Sequence, residues 1–239
     1  MNQDFDEIRK KALLEVKQKI KESVNKDLMI INAISNIEEL DKYFNVVVGR
    51  LREWFLLKNP ELEKKVEDNQ RIVDIILQQE YSKTEMGTKL EPRDEEAIMS
   101  LALLAQATTK TKEFLTEYLE EIMNDYCKNL LSLAGTTIGA KLLREAGSLK
   151  RLASLQSGTI QLLGAEKALF RHIKTGAKPP KYGFIINHPV VTGASIKEKG
   201  KASRTLADKI SMCARLDFFK GEFLGHKYLE ELKTKFNKT

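Results

Sequence analysis

Cysteine, histidine, tryptophan and proline are all scarce in this 239-residue chain, which holds two, three, one and five of them respectively. Each shortage excludes something. Cys127 and Cys213 lie 86 positions apart within helical patterns, so they form no disulfide framework and read as buried free thiols. The three histidines are scattered and add no ligand spacing, so no metal and no other cofactor is expected. Apolar runs are short. The longest, Ile98 to Ala105 and Phe184 to Val191, stop well below the roughly 18 residues that a membrane span needs. The opening residues carry no basic-then-apolar leader, so no signal peptide is expected and the setting reads as cytosolic or nuclear.

Signatures of catalysis are missing too. Gly135-Thr-Thr-Ile-Gly139-Ala-Lys141 resembles a phosphate loop only briefly: three residues separate its glycines instead of four, and no hydroxyl follows the lysine. No Gly-x-Gly-x-x-Gly follows a strand pattern, and neither a Ser/His/Asp set nor a carboxylate pair in an apolar setting stands out. No catalytic residue is nominated, and the chain is expected not to be an enzyme.

What the chain does have is charge, unevenly placed. Residues 1 to 124 hold 19 Lys and Arg against 25 Asp and Glu, whereas 125 to 239 hold 21 against 9. Within Lys141 to Arg204 there are 13 basic and 3 acidic residues. Such concentration in one half points to a nucleic-acid partner for that half, with a merely solubilising surface as the alternative.

The acidic half reads as helix almost throughout. From Asp6 to Lys58 the residues Leu13, Val16, Ile20, Val24, Leu28 and Ile31 step by three or four, with one interruption near Asn25 to Asp27, where Asn and Asp can cap. Ile37, Leu40, Phe44, Val47, Leu51 and Trp54 follow as a coiled-coil seam that Asn59-Pro60 ends, and Leu62, Val66, Val73 and Ile76 continue a further helix. Gln79 to Pro92 reads as a loop. A second seam then runs through Ala97, Leu101, Leu104, Thr108, Thr111, Leu115, Tyr118 and Ile122. Two long arms without internal proline are expected to pack antiparallel as a hairpin, an ordinary helical bundle being the alternative.

After Ala134 glycines punctuate short elements, the texture of a small globular domain with many turns. The expected fold is therefore mainly all-α: a coiled-coil arm domain over residues 1–134 and a small, mostly helical domain over 135–239. In the second, helices are expected at Thr136 to Ala146, Ser148 to Ser154, from Lys199 onward and over Glu222 to Phe236. Gly158 to Leu163 reads as strand or helix entry, and Phe184 to Asn187 as a short strand or buried coil. Arg215 and Asp217 are expected to pair as ions.

The densest stretch runs from Ile160 to Tyr182. There Ala165, Ala168, Leu169 and Ile173 recur at helical spacing, as if seated on a core, while Lys167, Arg171 and Lys174 fall on another side. The helix follows Gly164, so its free N–H groups offer a seat for phosphate beside those cations. Lys178-Pro-Pro-Lys181-Tyr182 leaves the helix as a stiff extended segment that presents two lysines and a ring.

These residues also carry a resemblance. The string IGAKLLREAGSLKRLASLQSGTIQLLGAEKALFRHIKTGAKPPKY, from Ile138 to Tyr182, is similar to the signature of the Nop domain, found in box C/D ribonucleoprotein core proteins and a spliceosomal pre-mRNA-processing relative. GKASRTLADKISMCARLDFF (Gly200 to Phe219) resembles that family's second block, EMGTKLEPRDEEAI (Glu85 to Ile98) the turn into its second arm, and LREWFLLKNPEL (Leu51 to Leu62) its arm tip. The resemblance implies a noncatalytic scaffold of RNA 2′-O-methylation guide particles. Its domain recognises a kink-turn RNA already bound by a small ribosomal-protein-like kink-turn protein, and its coiled coil supports self-association. The archaeal wording is the closer one, implying a cytoplasmic location for an archaeal chain and a nuclear one for a eukaryotic chain. Fibrillarin, the family's methyltransferase partner, is held by an N-terminal domain, and this sequence starts inside what corresponds to the first arm. Fibrillarin is therefore expected as a partner only where that domain is supplied.

On the resemblance together with the charge pattern, Lys150, Arg151, Lys167, Arg171, Lys174, Lys178, Lys181, Lys201 and Arg204 are expected to meet RNA phosphates. Asn187 stands where the family often has His or Gln facing a base. Glu166, Phe170 and His172 are expected at the partner protein, with base stacking as a second role for His172. Gln156 and Ser157 replace a Pro-Ala common in the family, which is expected to loosen a turn. The alternatives are a coiled-coil interaction protein with a basic domain that binds nucleic acid unspecifically, and a spliceosomal-type member.

Overall fold

The computed structural model describes residues 9–18, 25–80 and 86–236. Among these no strand is present; the elements are helices joined by short turns. Residues 9–18 are helical (α1) with their side chains exposed. Ile20 and Val24 of the expected first seam lie outside the described residues. Then follow α2 (Lys26–Phe55), α3 (Pro60–Lys65), α4 (Asn69–Gln78) and α5 (Pro92–Tyr126). The chain folds into two compact units, one spanning Ser35–Tyr118 and the other joining the chain up to Ile34 with that from Leu119 onward.

In the first unit α2 and α5 run antiparallel. The residue partners descend along α5 as they ascend along α2: Asp41 meets Lys112 at 2.5 Å, and Lys58 meets Glu95 at 2.6 Å. Their shared core contains Val47, Val48, Leu51 and Phe55 from α2 and Ile98, Ala102 and Ala105 from α5, closed by Ile72, Val73 and Ile76 of α4. Each such side chain contributes about 1.5–3 kcal/mol when fully buried, less for alanine.

Both seams differ in detail from the expected ones. In α2 the buried positions near the tip are Leu51 and Phe55, and Trp54 is exposed. In α5 Ile98, Ala102 and Ala105 are buried while Leu104 and Thr111 face solvent, so the stripe is turned by one residue at its start. Alanines allow close approach of the neighbouring backbone, and packing follows that approach rather than side-chain size. Thr108 is shared by both readings and is buried, its hydroxyl donating to the Leu104 carbonyl at 2.8 Å.

The helix expected from Leu62 through Ile76 is broken. Asp68 ends the extended stretch after α3 and caps α4, accepting from Gln70 and Arg71 N–H at 3.3 Å each. Arg52 ties this break to α2 through Val66 O (2.8 Å), Glu67 O (2.9 Å) and Asn69 Oδ1 (3.0 Å). Asn59 caps α3 ahead of Pro60, as its sequence position suggests.

The second unit is built around α12 (Lys199–Phe218). Packed against it are α6 (Lys128–Ala134), α8 (Leu149–Ser154), α9 (Ser157–Leu162), α11 (Pro189–Thr192) and α13 (Gly225–Phe236), while α7 (Thr136–Ala146) packs on α6 and α8. Ala202, Ser203, Ala207, Ser211 and Ala214 of α12 are small and buried, which lets α6, α8 and α9 come close. Phe184–Asn187 is a 3₁₀ turn (η1), neither strand nor coil. Ser157–Leu162 resolves the open reading there as helix.

Buried polar groups lock these short elements together. Asp217 accepts from Asn129 N–H (3.0 Å), Leu130 N–H (2.8 Å) and Asn129 Nδ2 (2.9 Å), so α12 caps the start of α6. The expected Arg215–Asp217 ion pair is not made. Residues two apart on a helix do not face each other, and the Arg215 Nε donates to the Ala153 carbonyl at 3.1 Å instead. Asp27, buried at the start of α2, likewise caps α8 by accepting Leu149 N–H at 3.0 Å.

Candidate nucleic-acid interface

α10 (Glu166–Thr175) buries none of its ten residues. The expected core face is absent: Ala165, Ala168 and Leu169 are half-buried, and Ile173 is 68% exposed beside Phe170 at 63%. Lys167, Arg171 and Lys174 share one exposed side of the helix as expected, but on the apolar side only the small or edge positions Ala165, Ala168 and Leu169 are partly covered, and Phe170 and Ile173 stay open to water. A short helix showing two large apolar side chains and three cations to water is a surface poised for a partner.

Its start differs from the expected phosphate seat. Gly164 takes φ +89, and its N–H donates to Glu166 Oε1 at 2.7 Å. The Glu166 carboxylate thus lies in the first turn, where it meets the positive end of the helix dipole itself. The cations therefore stand along the side of the helix and not at its start. At the other end Gly176 N–H donates to the His172 carbonyl, and the half-buried His172 ring meets the Ala177 carbonyl through Nδ1. His172 first of all closes the helix end.

The extended segment that follows is laced to α9. Gln161 Nε2 donates to Lys181 O at 2.9 Å, Gly183 N–H to Gln161 O at 2.8 Å, and Phe184 N–H to Leu163 O at 2.8 Å. The fit leaves no room for a side chain at Gly183, where a Cβ would lie 1.8 Å from Leu163 O. Between this segment and the start of α12 lies a groove of about 490 Å³, lined among others by Gln161, Lys181, Tyr182, Ile196, Lys197 and Arg204.

Of the residues proposed from sequence, the groove brings together Lys181 and Arg204, with Lys201 one residue beyond Gly200 on its wall. Lys167, Arg171 and Lys174 share α10, and Lys178 is exposed on the extended segment. Lys150 and Arg151 are exposed on α8, and Asn187 is exposed at the end of η1; none of the three lines the groove. Sequence reasoning missed Lys197 and Ile196. Their signal was an isolated aliphatic residue in a glycine- and lysine-rich loop, Ser195-Ile-Lys-Glu-Lys-Gly200.

Next to Asn187 in the chain, His188 is buried and satisfied on both nitrogens, Nε2 at 2.9 Å from Leu133 O and Nδ1 accepting Val190 N–H at 3.2 Å. Burial holds it below its ordinary value, the carbonyl partly offsetting this. It is a structural residue that caps α11, while its neighbour Asn187 is exposed. Among the described residues no cluster of three or more His, Cys, Asp or Glu side chains suits a metal, and no helix is long and apolar enough to cross a membrane.

Comparison with known proteins agrees with these features. Residues 74–238 match a family described as Nop, snoRNA binding domain, fibrillarin. An uncharacterised NOP5 family protein of Methanocaldococcus jannaschii is 35% identical, over 96% of this chain and 62% of its own length. Nucleolar protein 58 of Dictyostelium discoideum is 38% identical over 83% of this chain and 35% of its own. The chain thus spans less than two thirds of these relatives. A crystal structure of a fibrillarin/Nop5p complex has the same fold, with a TM-score of 0.57 at 24% identity, covering 98% of this chain and 79% of that one. With a family match over 165 of 239 residues, the chain belongs to the Nop family.

Proposed function

We propose that this chain is a noncatalytic scaffold of a box C/D-type ribonucleoprotein. It clamps a kink-turn RNA together with the kink-turn protein already seated on that RNA. The observation that carries this reading is α10, which shows Phe170 and Ile173 to water among Lys167, Arg171 and Lys174 while burying nothing. Apolar side chains suit a protein surface and the cations suit phosphates, so one short helix matches a composite target better than either component. Lys178, Lys181, Lys201 and Arg204 extend the phosphate contacts along the groove. Glu166, Phe170 and His172 face the partner protein.

Support also comes from the family match and from the nucleolar protein 56 and 58 relatives. Fibrillarin, present with the Nop5p relative in its crystal structure, is a further partner that this reading admits for the particle. The antiparallel arms are assigned to self-association. Such a particle works in the nucleus for a eukaryotic chain and in the cytoplasm for an archaeal one.

A gel-shift titration tests the composite target. The protein should bind the RNA–partner complex tightly and naked kink-turn RNA or partner alone weakly. Equal affinity in every lane would instead favour unspecific binding by a basic domain. Phe170→Ala with Ile173→Ala should weaken the ternary complex at least about tenfold without moving its salt dependence. Lys167→Glu, Arg171→Glu and Lys174→Glu together should shallow the salt slope by about three units.

A further inference from the structure

Phe218, Phe219 and Phe223 are all exposed at the turn joining α12 to α13, Phe219 by 74%. The turn that holds them is rigid. Gly221 N–H donates to Leu216 O at 2.7 Å, and Lys220 takes a left-handed φ of +55. From beneath, buried Asn129 donates to Glu222 O at 3.1 Å and accepts the Leu224 and Gly225 N–H groups at 2.7 and 2.9 Å. The rings of Phe218 and Phe219 meet edge to face at 5.0 Å, and Phe223 tilts against His226 at the same separation, with Lys128 Nζ 5.4 Å from its centre. Lys220 and Lys227 add positive charge and Glu222 one negative.

One exposed face of α12 leads to this turn. Lys201, Arg204, Asp208, Met212, Arg215 and Phe219 are all exposed and recur every three or four residues. The face begins at the cationic groove and ends at the rings, about 27 Å away at 1.5 Å per residue.

We propose that the Phe218–Phe223 turn is a stacking platform for unpaired bases of a single RNA strand that runs along the exposed face of α12. Exposed rings held on a rigid turn stack bases at little ordering cost, and the surrounding lysines suit the phosphates between the bases. A protein partner fits less well, because Lys128 stands over the Phe223 ring and Lys220 separates Phe219 from Phe223 along the turn, so charge interrupts the apolar patch. The platform takes the groove as the RNA's point of departure, and so rests on RNA as the groove's ligand. Its test needs neither a kink-turn nor the partner protein.

Fluorescence anisotropy with a labelled, unstructured oligoadenylate of about 12 nucleotides is the measurement. Phe219→Ala should weaken binding about fivefold or more and leave the slope against salt unchanged. Phe219→Tyr should restore it, and adding Phe223→Ala should weaken it further. Because Phe219 is so exposed, its alanine variant keeps the fold, which thermal unfolding verifies. Unchanged affinity in Phe219→Ala overturns the proposal, as does a loss that tyrosine fails to restore or one that changes the salt slope. So does an absence of binding by the wild-type protein, which would leave the rings to a protein partner. In the gel-shift, a kink-turn complex whose RNA has no single-stranded overhang should bind Phe219→Ala like wild type, so either reading can fail without the other.

Discussion

The Asp217 carboxylate accepts the Leu130 N–H at 2.8 Å across 87 residues of chain, and so fastens the end of the central helix α12 to the start of α6. The same carboxylate holds both Asn129 donors, and Asn129 in turn holds the turn before α13. Burial pushes the Asp217 carboxyl above its ordinary range, and the N–H donors partly offset it. Asp217→Ala strips partners from three donors and should lower stability by about 3 kcal/mol in urea titration. Asp217→Asn keeps an acceptor and should lose less. Arg215→Ala should have a smaller effect, and a double-mutant cycle between positions 215 and 217 should show coupling below about 0.5 kcal/mol. Strong coupling there would restore the ion pair.

Buried His188 makes stability depend on pH in one direction. Its folded-state pKa is lowered, so the unfolded chain binds the proton first as pH falls. The stability is present above the unfolded value of about 6.5 and is lost below it. Unfolding free energy should therefore fall between about pH 7 and 5, and His188→Gln, though less stable, should give a flatter profile. An equally steep profile in that variant would assign the proton to another group.

The buried stripe of α5 is set by small residues. Leucine at Ala102 or Ala105 should overpack the core and cost about 1–3 kcal/mol, whereas Leu104→Ala should stay within about 0.5 kcal/mol of wild type. The sequence spacing alone implies the reverse order, so one denaturation series separates the two registers.

That contrast shows what was legible in the chain and why. Two long arms, the Asn59-Pro60 stop and the short glycine-punctuated helices after Ala134 were readable because capping, proline geometry and periodicity are local. The register of α5 was not, because a period of 3.5 fits two neighbouring stripes and close approach decided between them. The break at Asp68 was hidden by an apolar spacing that continued across it, although an Asp ahead of Asn69-Gln-Arg was a capping signal. At the candidate interface the exposed cations were legible one by one. Their grouping was not: the groove joins Lys181 to Lys197 and Arg204 through the path of a turn that composition does not specify. Glu166 shows the opposite limit, since a glycine before a helix suggested a phosphate seat until the carboxylate was found bonded to Gly164.

Gln156 was expected to loosen its turn by replacing a proline. Its backbone nevertheless sits at φ −73 and ψ 148, close to where a proline ring would hold it, and Leu155 before it is extended at φ −70 and ψ 146. Gln156→Pro should therefore stabilise the protein by about 0.4–1 kcal/mol through the unfolded chain. A fall in thermal midpoint would mean that the Gln156 N–H or side chain has a role the turn needs.

Gly183 couples the fold to the groove most directly. Its N–H is held by Gln161 O, its successor's N–H by Leu163 O, and the site of a Cβ lies 1.8 Å from that same carbonyl. Backbone atoms cannot step aside as a flexible side chain can, so alanine must push the extended segment off α9 and break these bonds together. Gly183→Ala should lower stability by at least about 2 kcal/mol. It should also carry Lys181 and Tyr182 away from Arg204, weakening RNA binding more than Lys181→Ala does in the same gel-shift. Lys181→Ala removes one of the proposed phosphate contacts and should shallow the salt slope by nearly one unit, whereas Gly183→Ala displaces the groove wall itself. A Gly183→Ala protein that melts like wild type and binds RNA like Lys181→Ala would show that the groove's shape contributes nothing beyond its charges.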